Sequence, residues 1–418
     1  MSALGACAGV CVCVLLNGPH TRGGGEGTAA AVPGVVGDTL RAVWPALLAC
    51  VLLTMRIAGQ ALCSTEHNVA LPRLYLLGQQ KSGTTTIATA FFQAGVVPMV
   101  DYRPYGNVPG YLRTVRDNHS HAHLAGNVKE SNLLASVSGP TCLTPTCLKF
   151  AQRRWERKFA NFTQCARRWR DTLLGDLSTD NFPHGYRAPT LRSFYGMPSA
   201  RRLIFVVIMR EPLQRFQSGF YWTYAPEHFG LPPHRNHAHN RTMRAELAML
   251  RAELPPSYEA AVRVWAHLVR FRRLDAWVRS MYALNWRPWL AQFHPSQFVA
   301  LPMRWALEDV GRATQLVAER FGVALHRQAH ILGNGARHVG ISGEGDRLNT
   351  HAHPSVAEDS EADAQTRENL RWLATTFFAP DTRELARAFA RAMPHGLVLG
   401  GARGGSEADV LRCLNESW

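Results

Sequence analysis

The sequence predicts an α/β fold of three layers, a central parallel β-sheet flanked by helices. Two observations carry the prediction. Residues 203–209, Leu-Ile-Phe-Val-Val-Ile-Met, form an apolar run too continuous for a half-exposed antiparallel strand and suited to a strand covered on both faces. Strand-like and helix-like segments also alternate along the chain, the pattern of β-α-β units.

In chain order, a strand is expected at 73–78, then a loop, then a helix from Thr84 to about Gln93. A third strand, 297–302, follows a helical pattern over 257–293. Helices are expected at about 150–171, 240–253, 257–282, 303–320, 365–377 and 382–393. Composition marks 101–127, 222–239 and 333–365 as long loops, of the kind that shape a cleft beside an α/β core.

With 418 residues, 46% hydrophobic and 18% charged, the chain has the composition of a folded protein. Lys+Arg of 46 against Asp+Glu of 31 give a net charge of +15, which favours polyanions, anionic headgroups or a phosphorylated small molecule. Nucleic acid is not expected, because the sequence carries no C2H2 spacing, RNP-like stretch or heptad-plus-basic helix.

The N-terminal region is apolar and Gly/Ala-rich. The expected division is a short flexible tail over 1–41, a candidate transmembrane signal anchor over 42–62, a linker over 63–70, one large domain over 71–400 and a tail over 401–418. Arg56 would snorkel to a headgroup layer if the anchor spans. Sequons at Asn118, Asn161 and Asn415 accord with a luminal domain. Of nine cysteines, Cys142 and Cys147 flank Leu-Thr-Pro-Thr and are expected to close a short disulfide, with Cys165 and Cys413 as further candidates and Cys63 without an assigned partner.

The sharpest constellation is Gly78-Gln79-Gln80-Lys81-Ser82-Gly83-Thr84-Thr85, set between strand and helix. Gly78 and Gly83 permit a tight turn, backbone N–H groups open into it, and Lys81 adds a mobile positive charge. Thr84 and Thr85 are expected to cap the helix or to bind phosphate oxygens. The order of Lys and Gly is not that of a Walker A loop. After the 203–209 strand comes Arg210-Glu-Pro-Leu-Gln-Arg215-Phe-Gln-Ser218-Gly-Phe-Tyr221. Arg210 ends the strand, where α/β sheets bind ligands, and Arg215 and Ser218 share a helix face as candidate ligands of a second phosphate.

At these residues the chain resembles the PAPS-dependent carbohydrate sulfotransferases of the Golgi type, including the heparan sulfate and chondroitin/GalNAc-4-sulfate 6-O-sulfotransferases. The resemblance runs over about residues 71–393. It implies a P-loop-like fold and a 5′-phosphosulfate site at Gln80, Lys81, Ser82, Gly83, Thr84 and Thr85. It also implies a 3′-phosphate site at Arg210 and Ser218, and a reaction that needs no metal. Lys129-Glu130 resembles the family's Lys-Glu pair, which makes Glu130 the candidate base, although Ser131-Asn-Leu-Leu departs from what usually follows it. The stretch from Gly175 to Phe182, with Asp176 and Ser178, resembles a loop beside the acceptor.

The resemblance implies sulfuryl transfer from PAPS to a hydroxyl or amine of an anionic glycan or proteoglycan, by a Golgi-membrane type II protein with a luminal domain. A homo-oligomer stays open. Alternatives are a nucleotide-dependent kinase or NTPase, and a catalytically silent glycan-binding protein. His121, His123, His294, His351 and His353 are alternative bases. Arg153, Arg154, Arg157, Arg167, Arg168 and Arg170 are candidates for an anionic-glycan track or a solvated helix face.

Overall fold

In the computed structural model the expected buried run is a strand whose every residue is buried, Ile204–Met209. The structure describes residues 62–63, 69–99, 164–169, 171–224, 243–323 and 361–417, together with 144, 146–147, 149–150, 153 and 162. Eight strands occur among them: β1 Leu62–Cys63, β2 Ala70–Leu71, β3 Leu74–Gly78, β4 Val97–Pro98, β5 Leu174–Asp176, β6 Ile204–Met209, β7 Phe298–Pro302 and β8 Val398–Leu399. The last six form one sheet in the order β4-β5-β3-β6-β7-β8, and each neighbouring pair is parallel.

Parallel strands joined by crossovers leave both sheet faces apolar, so both need cover. Tyr75, Leu77, Phe205, Val207 and Phe298 share a core with residues of four helices, α2 (Arg187–Tyr195), α7 (Tyr282–Leu290), α11 (Ala379–Ala392) and α12 (Glu407–Ser417). By the two-residue alternation of a strand, the buried Leu74, Leu76, Val206, Ile208 and Val299 face the other way. There, α8 (Met303–Glu308) packs on β6, β7 and α1 (Thr84–Gln93), and α9 (Val310–Phe321) packs on α1. A second core lies around Phe216 of α3 (Pro212–Tyr224), Leu250 of α4 (Met243–Glu253), Ala261 of α5 (Tyr258–Leu268) and Trp277 of α6 (Asp275–Val278). It also takes in Leu373 of α10 (Glu361–Leu373).

Two expected helices are each broken into two. The 303–320 helix divides at Asp309, whose Oδ1 accepts from Arg312 N at 2.8 Å and starts α9 as a new helix. The 257–282 helix divides into α5 and α6 with a 3₁₀ turn at Arg272–Leu274 between them. The stretch expected as a C-terminal tail holds α12, because Val410, Cys413 and Leu414 recur at helical spacing and are buried. Ser406 Oγ accepts from Asp409 N at 3.1 Å at its start.

Cys63 pairs with Cys165, with Cα atoms 5.6 Å apart, across 102 positions of sequence. The pairing of β1 with β2 sets Leu62–Cys63 against the π-helical turn Cys165–Trp169, a tertiary proximity no spacing could announce. Cys147 is also disulfide-bonded, its expected partner Cys142 lies outside the described residues, and Cys413 is a free buried thiol rather than a bridge. The anchor expected over 42–62 lies outside the described residues except Leu62, which is strand; among the described residues no helix is long and apolar enough to cross a membrane.

Asp381 of α11 is fully buried and accepts from Ala283 N at 2.9 Å and Leu284 N at 3.3 Å, closing the N-terminus of α7. Burial pushes its carboxyl up to about 7, against the lowering effect of those two bonds. The native state therefore holds a proton that the unfolded chain releases near pH 4. The stability this contributes is present in acid and is lost as pH rises towards 7. Asp381→Asn is expected to flatten that part of the stability profile, read by urea unfolding at pH 4.5, 5.5, 6.5 and 7.5.

Candidate active site

The crevice lies at the C-terminal ends of β3 and β6, neighbours in the sheet. From β3 the chain crosses to one side, towards β4 and β5, and from β6 it proceeds to the other, towards β7. Ligands of open α/β sheets bind where the winding reverses in this way.

The turn after β3 begins at Gly78, with φ 142°, where an added Cβ would stand 2.7 Å from the Thr179 carbonyl oxygen. Only glycine fits there. Gly83, with φ 76°, is the N-cap of α1 and, having no side chain, makes no capping bond. Its first turn also contains no acid, so no carboxylate of that turn opposes an anion at the positive end of the helix. Thr84 and Thr85 stand in the first turn rather than capping it, and the Thr84 side chain is buried. Gln80 and Lys81 are half-buried and Ser82 fully buried. Both polar atoms of the buried Gln79 amide lack a hydrogen-bond partner among the described residues.

The turn after β6 is built differently. Glu211 accepts from Leu213 N at 2.9 Å and Gln214 N at 2.6 Å, filling the start of α3 with its own carboxylate. A second anion at this turn therefore has to be held by side chains. Arg210 is half-buried, and its Nε lacks a hydrogen-bond partner among the described residues. Burial lowers its pKa, which Tyr282 and Glu211 partly offset. Ser218 is half-buried, three residues on from Arg215 in α3.

Arg215 is not a free phosphate ligand. It is 1% exposed, and it donates from Nε to Gln80 O at 3.1 Å and from Nη1 to Ala276 O at 2.7 Å. Burial brings its pKa down to about 10. Arg210 Nη1 donates to Lys81 O at 3.4 Å, so both arginines of the second segment hold carbonyls of the first. The two phosphate segments form one unit.

Sequence reasoning missed several residues of this unit. The buried Tyr282 hydroxyl accepts from Arg210 N at 3.0 Å, and burial pushes its pKa up to about 12. Ser280 Oγ accepts from Arg215 Nη1 at 3.5 Å. Arg279 pairs with Asp275 at 2.6 Å and with Asp180. Burial raises and these cations lower the Asp180 pKa, and the lowering wins through Arg279, His184 and Arg187. Tyr282, Ser280, Arg279 and Asp275 lie far along the chain from the loop and no motif marks them, and Asp180 falls in the 175–182 stretch, where the resemblance points to Asp176 and Ser178 instead.

Glu130 and Lys129 lie outside the described residues, as do His121, His123, His351, His353, Arg154 and Arg157. Asp176 and Ser178 are buried, and Asp176 accepts from Ser178 N at 3.0 Å and Asn181 Nδ2 at 3.4 Å, which shapes their own loop. That loop is joined to the end of β3, just before the anion turn, through Phe182 N, which donates to Leu77 O at 2.8 Å. His294 bonds Ser296 and precedes β7, at the end of the sheet opposite the crevice, so it leaves the set of candidate bases. Among the described residues no group of three His, Cys, Asp or Glu side chains is arranged to hold a metal.

No known protein family matches the chain, and no curated protein does. Among solved structures it is similar to a sulfotransferase from Alicyclobacillus acidocaldarius, at 14% identity and a TM-score of 0.42, over 77% of this chain and 96% of that one. A likeness of that size transfers no chemistry to this chain.

Proposed function

We propose that this chain is a PAPS-dependent sulfotransferase that moves the sulfuryl group to a hydroxyl or amine of an anionic glycan, releasing adenosine 3′,5′-bisphosphate. The observation that carries the reading is the joined pair of anion-binding segments at the ends of adjacent parallel strands. One is an uncapped helix start with Lys81, the other is Arg210 with an uncommitted Nε. Two separated phosphates on one nucleotide match two such segments. The residues fit: the described acid in these segments, Glu211, is spent on backbone N–H groups of α3 and does not oppose an anion.

In this reading the N–H groups at the start of α1, with Ser82, Thr84 and Thr85, hold the 5′-phosphate side. Lys81 stabilises the negative charge that develops on the leaving phosphate. Arg210 and Ser218 hold the 3′-phosphate. Glu130 takes the acceptor proton, in keeping with the Lys-Glu resemblance. The basic balance of the chain favours an anionic acceptor. The Cys63–Cys165 bridge favours an oxidising compartment, in line with a luminal, Golgi-membrane protein.

The test is transfer of labelled sulfate from PAPS by the full chain to a panel of desulfated and partly sulfated glycans, with Glu130→Gln beside it. Transfer by the wild type, reduced about a hundredfold in the variant, is the expected result. Hydrolysis of ATP with Mg2+ and no sulfate transfer would overturn the reading in favour of a nucleotide triphosphatase.

A further inference from the structure

Lys81 has a backbone φ of 70°, a left-handed conformation that an L-residue keeps only when its surroundings impose it. Two guanidinium groups reach the backbone on either side of it, Arg215 to the Gln80 carbonyl and Arg210 to the Lys81 carbonyl. Arg210 is half-exposed and lies where a ligand arrives. Arg215 is buried, and its anchorage comes entirely from the protein. Its Nη1 donates to Ala276 O and to Ser280 Oγ, and Ser280 Oγ in turn donates to Ala276 O at 3.0 Å. The segment carrying these groups is tied by Arg279 to Asp275 within it and to Asp180 outside it. Asp180 follows Thr179, whose carbonyl oxygen stands 2.7 Å from where a Cβ on Gly78 would lie, so this path returns to the start of the same loop.

We propose that Arg215 is a positioning residue for sulfuryl transfer: gripped by the 275–280 segment and by the Asp180–Arg279–Asp275 cluster behind it, it fixes the Gln80 carbonyl and so holds Lys81 in the backbone conformation that presents its ammonium to the donor. The inference rests on the donor reading for the word sulfuryl, but the mechanical part concerns the loop alone. Its chemistry depends on the planar fork of the guanidinium, which spans Gln80 and Ala276 at once and which a lysine cannot reproduce. Gly219, one turn along α3, leaves the room for it: a Cβ there would lie 3.0 Å from Nη1 and 3.2 Å from Cζ.

Two variants of the full chain test this, Arg215→Lys and the milder Gly219→Ala, which presses on the guanidinium while keeping its charge and favours the helix. Three quantities are read in each: hydrogen exchange of amides 79–83 without ligand, affinity for adenosine 3′,5′-bisphosphate, and kcat for sulfate transfer. Faster exchange in the loop is expected, with affinity held within about threefold and kcat lower by about tenfold in Gly219→Ala and by about a hundredfold in Arg215→Lys. Affinity that falls in step with kcat would make Arg215 a direct phosphate ligand and overturn the proposal. Unchanged loop exchange in the folded Gly219→Ala and Arg215→Lys proteins would overturn it as well. If the wild type binds no bisphosphate, the donor reading fails, and the exchange comparison still decides whether Arg215 holds the loop.

Discussion

Replacing Lys81 with alanine is expected to lower sulfate transfer by about a hundred- to a thousandfold, the usual cost of removing one donor aimed at charge that develops in the transition state. The loop should survive the change. Gly78, Gly83, the Gln80 carbonyl and both arginines that brace the turn are untouched, and a half-buried ammonium is not part of the core. The loss therefore belongs in kcat, with a smaller loss in affinity for adenosine 3′,5′-bisphosphate. Single-turnover transfer from PAPS measures the first and calorimetry the second. A loss of affinity with kcat unchanged would place Lys81 in ground-state binding alone.

Removing the Cys63–Cys165 bridge is expected to have the largest effect on stability. The closed loop spans 102 positions, and cross-linking a loop of about a hundred residues restricts the unfolded chain by about 4–5 kcal/mol. That is a large fraction of the stability of an ordinary domain. The bridge also joins β1 to the turn before β5, two places not otherwise near in sequence. Urea unfolding of the Cys63→Ser, Cys165→Ser double variant should show a midpoint well below that of the oxidised wild type. Reduction of the wild type should bring the two curves together if Cys147 contributes little, since its bridge is the other one among the described cysteines.

The parts of the fold that were legible in the sequence are those with a long local signal. β3, β6 and β7 are five or six residues long and wholly buried, so they read as continuous apolar runs flanked by loop chemistry. β4, β5 and β8 have two or three residues each, too few for any period, and they exist because a central strand already offers hydrogen bonds. The candidate site divides along the same line. Gly78 to Thr85 and Arg210 to Ser218 are contiguous and motif-like, and the sheet order brings them together. Tyr282, Ser280, Arg279 and Asp180 enter through tertiary contact, which spacing does not encode.

Arg215 is the instructive case. Its sequence position, one turn before Ser218, argued for a phosphate ligand; its burial and its bonds to Gln80 and Ala276 assign it to the loop. A helical face shared with a candidate ligand says which way a side chain leaves the helix, but not whether protein or solvent lies there. Glu211 gave the opposite lesson. An acid inside a proposed anion site looks like a contradiction until its carboxylate is found on two backbone N–H groups of α3.

The most direct test of the central claim, a site for one nucleotide with two separated phosphates, is calorimetric comparison of adenosine 3′,5′-bisphosphate with adenosine 5′-phosphate on the full chain, with Arg210→Gln beside it. The account predicts that the 3′-phosphate strengthens binding by about ten- to a hundredfold, the worth of one or two hydrogen bonds to a charged group, and that Arg210→Gln erases most of that difference. Equal affinity for the two nucleotides would contradict it.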